Sequence, residues 1–459
     1  MPSPDLERSP LFTDLYQLTM LQAYWREGME APAVFDLFVR RLKNRNYLLA
    51  CGLEPCLDFL ETLSFDAEAL DYLADQEQFG DDFLTWLADF SFTGDVYAMP
   101  EGTPVFPHEP IVEVVAPIGE AQLVETFLLN QVTYQTNLAS KATRVVDAAG
   151  GVESDRLVAD FGMRRMHGTD AAMTAARAGY IAGLDATSNV AAGKRYGLPI
   201  TGTMAHSYIE AHDAERDAFE RFANLYPETI LLVDTYDTLE GVRKVIALAE
   251  QKAEDFRVRG IRLDSGDLGA LAHESRRLLD GAGLDDVMIF ASGGLDEYKI
   301  ANLLDRGAPI DGFGVGTKLG TVADQPGLDS AYKLCGYDGT PRMKLSADKS
   351  NLPGRKQVVR QYEGGTAVRD VIATEAEQVP GAPLLERVMA GGERTDAGAP
   401  RPLDAQREHA AARIAELPNR LRALDPDREP YTVVLSDALR DRRDRTRDRL
   451  KATMSETST

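Results

Sequence analysis

With 459 residues, 44% of them hydrophobic, and a formal net charge of −23, the chain can bury a sizeable core spread over two or three lobes. Its negative surface repels phosphate backbones and anionic lipid, which argues against nucleic acid and membrane as general partners, so any phosphate it binds needs a local basic site. The three cysteines, Cys51, Cys56 and Cys335, are spaced for neither a disulfide framework nor a zinc site; with no secretory pattern in Met1 to Thr13 and no apolar run near the ~20 residues of a bilayer span, a reducing, cytoplasmic setting is expected.

Helical segments at Leu15 to Arg26 and Phe83 to Leu87 are mixed with strand-like Ala33 to Val39 and Pro110 to Val115, so residues 1–140 read as an α/β lobe of their own. From about Leu157 to Thr317 another rhythm takes over: a short apolar run, a cluster of Asp, Ser, Thr, Arg or Gly, then a longer helical stretch. The run ends fall at Leu157–Asp160, Leu198–Thr203, Leu231–Thr235, Ile261–Ser265, Ile289–Gly293 and Phe313–Thr317, with Leu184–Asn189 as a further candidate; successive ends lie roughly 24 to 43 residues apart, about one βα unit. Buried parallel strands read as continuous apolar runs because both faces are covered, and polar groups gather at their carboxyl ends, where chemistry is expected. A doubly wound sheet would concentrate such groups near one switch point. Here every end carries them, which favours a closed or nearly closed (β/α) barrel over residues 141–325. Past about Gly320 the rhythm stops. Pro380–Pro383 and Ala397–Pro402 read as linkers or loops, and Arg440–Lys451 as a solvated helix laced with Arg–Asp pairs.

The sharpest cluster is Gly202-Thr203-Met204-Ala205-His206-Ser207, where a strand turns outward and His206, one of six histidines, would face the mouth. A lone histidine is as readily a satisfied structural residue; its place at a strand end is what points to chemistry. Asp234 ends the next predicted strand. There its carboxylate would hold one ring nitrogen of His206 and leave the other facing the site, or would cap the following helix. In Arg262-Leu263-Asp264-Ser265-Gly266-Asp267, strand alternation projects Arg262 and Asp264 to one side, offering a guanidinium for an anion and a carboxylate for a ribose hydroxyl or hydrated Mg²⁺. Asp267 joins them or caps a helix, and the whole can also be a plain ion-pair network. The glycine-rich ends carrying Gly293, Gly316 and Thr317 are the phosphate candidates, since glycines let backbone amides approach phosphate oxygens. In Phe161-Gly162-Met163-Arg164-Arg165 a ring for stacking sits beside two arginines for phosphate; a core Phe and a surface Arg pair is the plainer alternative.

Together, Asp14 to Met20, Phe161 to Arg165, Thr187-Ser188-Asn189-Val190, Gly202 to Ser207, Arg262 to Asp267 and Gly314 to Thr317 resemble, in order and spacing, the nicotinate phosphoribosyltransferases, with agreement from about Leu11 to Arg360. The resemblance implies an α/β fold in which an irregular (β/α) barrel is joined to an N-terminal α/β lobe completed by C-terminal elements, residues 326–459, in a homodimer with a shared active site. It implies the joining of nicotinate to phosphoribosyl pyrophosphate, coupled to ATP as co-substrate through a phosphohistidine, with Mg²⁺. His206 matches the phosphorylated residue, Arg262 and Thr203 match nicotinate contacts, Phe161 a stacking partner and Thr317 a phosphate contact, while Tyr16 would reach the ring from the neighbouring subunit. The related nicotinamide enzymes carry an acid where Ser188 stands, and an acid would accept an amide N–H but repel a carboxylate; Ser188 therefore favours the acid substrate. Lys344 and Lys349 look like the family's basic tail loop, or are solvated surface lysines. Phe38-Val39-Arg40-Arg41-Leu42-Lys43 lacks the family's usual proline, which leaves the pyrophosphate-binding arginine open.

Two other classes share some of these features. A barrel aldolase or isomerase acting on a sugar phosphate would want a Schiff-base lysine or an acid and base pair at the strand ends, and the only lysine there is Lys318, just past Thr317. A non-catalytic pyridine-binding protein would keep Phe161 and the glycine turns but need not retain His206 with Asp234.

Overall fold

Parallel strands that bury both faces form the centre of one part of the chain, and antiparallel strands drawn from both ends of the sequence form the other. The computed structural model describes residues 9–346 and 351–456. They fall into two compact units: Leu138–Pro326, and the described residues on either side of it.

In the Leu138–Pro326 unit, six parallel strands lie in the order Ala186–Thr187, Leu157–Asp160, Gly312–Val315, Met288–Ala291, Gly260–Leu263, Ile230–Leu232. Leu231, Leu232, Ile289, Phe313 and Val315 are fully buried, as the unbroken apolar runs require. The helices Thr238–Lys252, Leu268–Gly281 and Glu297–Asp305 start where Asp237, Asp267 and Asp296 accept an amide three residues on, each satisfying a donor the helix itself cannot. Asp267 is thus a cap, and the capping alternative for Asp234 gives way to Asp237.

The strand order is chain order wrapped around on itself, and the sheet is a half-barrel whose ladder stays open between Ile200 and Ile230 among the described residues. The run expected at Leu198–Thr203 contributes the Thr187–Ile200 bridge with its two backbone bonds, from the Thr187 amide to the Pro199 carbonyl and from the Thr201 amide to the Thr187 carbonyl, each 3.0 Å. Pro199 has no amide to extend that pairing, and Gly202 follows at once.

In the other unit, a seven-stranded antiparallel sheet runs Thr340–Pro341, Ser330–Tyr337, Pro32–Val39, Pro110–Pro117, Asp95–Ala98, Glu386–Ala390, Glu393–Arg394. Four of these strands come from beyond residue 326, so the early segment alone would leave the outer edges of Pro32–Val39 and Asp95–Ala98 unpaired. Phe35 stacks on Tyr332 at 4.9 Å across that junction, and the Tyr332 hydroxyl donates to the Ala121 carbonyl at 2.6 Å. A second sheet pairs Lys356–Glu363 with Thr366–Thr374, flanked by Ala382–Pro383 and Thr432–Leu435. Ala382–Pro383 lies in a stretch expected to be loop; it forms a two-residue edge strand, the sheet position proline tolerates. Arg360, wholly buried, donates to both oxygens of Asp370 at 2.9 and 2.6 Å, and the Tyr431 hydroxyl adds a third bond to that carboxylate. The tail forms the helix Asp437–Glu456, with Arg440–Asp437 and Arg447–Asp444 pairs along its solvated side and Leu439 buried beneath. All three cysteines are buried and outside any disulfide, and among the described residues no helix is long and apolar enough to cross a membrane.

Candidate active site

A parallel sheet delivers every strand's carboxyl end to the same edge. In the Leu138–Pro326 unit that edge gathers Phe161 and Arg164, Ser188, Thr203 and His206, Asp234, Asp264, Gly293, and Gly316 with Thr317, each past its strand or bridge, and Arg262, the last residue but one of Gly260–Leu263.

His206 opens the short helix His206–Glu210 with its side chain 40% exposed. Its Nδ1 lies 3.1 Å from the Thr235 hydroxyl, and its Nε2 faces Asp264 Oδ2 at 4.0 Å. The expected bond from Asp234 to His206 is therefore absent. Instead Asp234 Oδ2 accepts the Asp264 amide at 2.9 Å and the Ser265 hydroxyl at 2.6 Å, while Oδ1 is buried without a partner. The reason is geometric: the strand ends at Leu232, and residues 234 and 235 divide between two neighbours, the acid turning toward the Gly260–Leu263 strand end and the hydroxyl toward the histidine.

Arg262 and Asp264 do project to one side, 3.9 Å apart. The largely buried Arg262 donates from Nη2 to the Met204 carbonyl at 2.7 Å, and its Nε has no partner within the protein. Burial holds this guanidinium below its ordinary value, against the upward pull of Asp264 and Asp234 and with a further push down from Arg164. The Ser292 hydroxyl donates to Asp264 Oδ1, leaving Oδ2 without a hydrogen bond. Gly293 sits at φ +90°, and a Cβ there would lie 1.7 Å from the Asp264 carbonyl oxygen, so this turn passes its neighbour at a distance only glycine permits. Sequence reasoning singled out neither Thr235 nor Ser292. Both stand beside residues it did name, and the signal was their place in the first two residues beyond an apolar run.

Phe161 is half-buried. Its ring lies over the Gly314 backbone, where a Cβ would come within 2.4 Å, and 5.9 Å from Phe290. Arg164 and Arg165 are exposed in the single turn Met163–Arg165. Gly316 packs against the Phe161 carbonyl, and Thr317 starts the short helix Thr317–Gly320 with its side chain exposed. Ser188 is half-buried, its amide bonded to the Asp160 carbonyl at 2.9 Å; Thr203 bonds weakly to the Met204 carbonyl at 3.4 Å. Burial raises the Asp160 carboxyl, which the Gly162 amide and Thr187 hydroxyl bond at 2.7 and 2.8 Å, fixing the root of the Phe161 turn.

Residues 11–133 match the nicotinate phosphoribosyltransferase (NAPRTase) N-terminal domain, and residues 157–335 match the nicotinate phosphoribosyltransferase (NAPRTase) family. The chain is 54% identical over 430 residues to the nicotinate phosphoribosyltransferase pncB2 of Mycobacterium tuberculosis, covering 94% of this chain and 92% of that one. It is 45% identical over 380 residues to the nicotinate phosphoribosyltransferase of Bacillus subtilis, covering 80% and 77%. The chain belongs to the nicotinate phosphoribosyltransferase family. Its fold agrees with the crystal structure of human nicotinic acid phosphoribosyltransferase at a TM-score of 0.83 and 29% identity, over 94% of this chain and 98% of that one.

Other family positions lie outside the half-barrel unit. Tyr16, on the helix Leu15–Arg26, is 49% exposed. Arg40 and Arg41 both bind Asp329, at 2.7 and 3.3 Å, with Arg40 the more buried. Lys344 is exposed, and Lys349 lies outside the described residues.

Proposed function

We propose that this chain is an ATP-coupled nicotinate phosphoribosyltransferase, performing the first step of NAD salvage from nicotinate. Nicotinate and 5-phosphoribosyl 1-pyrophosphate give nicotinate mononucleotide and pyrophosphate, while ATP gives ADP and phosphate by way of His206. The reading rests on one arrangement above all: in a chain of this family, a half-exposed imidazole stands at the carboxyl edge of the half-barrel with one nitrogen engaged by Thr235 and the other unbonded.

In ribosyl transfer the pyridine nitrogen forms a bond to the sugar's anomeric carbon as the carbon–oxygen bond to pyrophosphate breaks. The nucleophile needs no base, so the protein's work is to hold two anions and a flat ring in line around an electron-poor carbon. Phe161 supplies a stacking face, Arg262 and Thr203 the contacts to the ring acid, and Ser188 a neutral neighbour for it. Gly293, Gly316 and Thr317, with Arg164, offer amides, a hydroxyl and a cation to phosphate. Asp264, whose Oδ2 accepts no hydrogen bond, suits a ribose hydroxyl or the single carboxylate through which hydrated Mg²⁺ is commonly held beside phosphates. When bound, Mg²⁺ would neutralise charge on the departing pyrophosphate. In the coupled half-reaction a ring nitrogen of His206 attacks the γ-phosphorus and ADP leaves; water later takes the phosphoryl group and frees the ring.

We read the half-barrel as an irregular barrel and the working enzyme as a homodimer with a shared active site, in which Tyr16 comes to the site from a second copy. A cytoplasmic setting goes with these substrates. One assay tests the central claim. Nicotinate mononucleotide formation should rise with ATP, and γ-labelled ATP should leave an acid-labile, base-stable label that His206→Ala abolishes; product formation indifferent to ATP and an unlabelled protein would refute the coupling.

A further inference from the structure

Deepening the role proposed for His206, on which its kinetic arm rests, we infer that Thr235 sets the tautomer of this histidine and thereby directs the phosphoryl group to Nε2. The usual device for fixing an imidazole is a carboxylate on one nitrogen. Here the adjacent carboxylate does not bond the ring: Asp234 Oδ2 receives the Asp264 amide and the Ser265 hydroxyl, and its Oδ1 is buried without a hydrogen bond. The atom that meets the ring is the Thr235 hydroxyl, 3.1 Å from Nδ1. On the other side, Asp264 Oδ2 at 4.0 Å from Nε2 is beyond direct hydrogen-bond reach.

A neutral imidazole carries one N–H and one lone pair, so two arrangements are open. With the proton on Nε2, the lone pair on Nδ1 is the one facing the Thr235 hydroxyl, and neither nitrogen can attack phosphorus without that contact breaking. With the proton on Nδ1, donated to Thr235 Oγ1, the Nε2 lone pair faces the open side. Only the second arrangement leaves a nucleophile. Once Nε2 has bonded to phosphorus and ADP has left, the ring holds positive charge that Nδ1–H shares, so the bond to Thr235 becomes charge-assisted. It is then stronger in the phosphorylated ring than in the free one, the condition under which a contact favours the step rather than only the resting state. Thr235 acts through His206 and is a positioning residue.

The full-length protein, carrying ¹⁵N-labelled histidine, gives the first test. Two-bond ¹H–¹⁵N spectra, with His206→Asn to assign the signal, should show the Nδ1–H tautomer in the wild type and in Thr235→Ser, and loss of that preference in the isosteric Thr235→Val. An Nε2–H wild type, or a Thr235→Val spectrum identical to it, overturns the inference without reference to ATP. The second test uses γ-labelled ATP. Label should appear on Nε2, and its rate of appearance should fall about tenfold or more in Thr235→Val yet stay within about threefold in Thr235→Ser, with the loss in rate rather than in the ATP concentration that half-saturates it. Label on Nδ1, or Thr235→Val labelled at the wild-type rate, overturns the assignment while leaving the phosphate-carrier reading standing. An unlabelled wild type that shows the Nδ1–H tautomer does the reverse.

Discussion

Asp234 Oδ2 accepts the backbone amide of Asp264 at 2.9 Å and the Ser265 hydroxyl at 2.6 Å, so a side chain takes over the joining of two strands just beyond their last backbone bond, from the Val233 amide to the Arg262 carbonyl. Removing it with Asp234→Ala leaves the Asp264 amide unpaired and the carboxylate it positions free to drift; kcat/KM for nicotinate should drop about 10- to 100-fold. Asp234→Asn keeps an acceptor oxygen and should retain most of the activity. Steady-state kinetics with an Asp234→Ala enzyme as active as the wild type would remove this brace from the site.

Gly293 is forced by contact. Its φ of +90° and the 1.7 Å that would separate a Cβ from the Asp264 carbonyl make Gly293→Ala strained in backbone and space together. The expected cost is about 2–4 kcal/mol in urea unfolding, accompanied by lower activity because the same turn places Ser292 on Asp264. Gly281, with open space at its Cβ position and no positive φ, is the control: Gly281→Ala should change stability by less than about 1 kcal/mol.

Ser188 bears on which pyridine is used. Half-buried and uncharged, it leaves a carboxylate unopposed, and the wild-type enzyme should use nicotinamide at least about 100-fold less efficiently than nicotinate. Ser188→Asp introduces a like charge, a juxtaposition that costs several kcal/mol when close, and should lower kcat/KM for nicotinate about 100-fold while sparing or improving nicotinamide. Comparable kcat/KM values for the two pyridines in the wild type would end the argument from this position.

His409 makes a pH prediction. Burial, then Arg413 and Arg401, hold its imidazole down to about 4, and its Nε2 lies 3.3 Å from the Thr103 hydroxyl. The unfolded chain takes up a proton near pH 6.5 that the folded chain refuses until about 4. Its contribution is therefore fully present above the unfolded value and is lost progressively as pH falls through that interval. Thermal unfolding at pH 7.5 and 5.0 should show a smaller drop for His409→Gln than for the wild type; equal drops would assign the acid sensitivity elsewhere.

The parallel strands were legible because two-sided burial leaves an unmistakable trace: Leu231, Ile289 and Phe313 sit in runs with no polar interruption. The carboxyl-end residues followed from the strands, since parallel pairing sends every end to one edge. Two things were not legible. The open ladder beyond Ile200 was hidden because Leu198-Pro199-Ile200 is an apolar run too short to show that it pairs on one side alone, with Thr187. The choice between Asp234 and Thr235 depends on which way consecutive side chains turn once a strand has stopped, and no periodicity governs residues past its end. That C-terminal elements complete the antiparallel unit followed from the family resemblance and not from any local pattern, because strands such as Ser330–Tyr337 and Glu386–Ala390 find their partners hundreds of residues back along the chain.

Arg262 holds the Met204 carbonyl at 2.7 Å, two residues before His206, in a stretch that no ladder secures. The group expected to greet the pyridine acid is thus also a prop under the loop that carries His206. On the reading proposed for His206, a ligand that tugs on this guanidinium would tug on the loop before that histidine, giving the pyridine pocket a mechanical route to the imidazole through a single side chain.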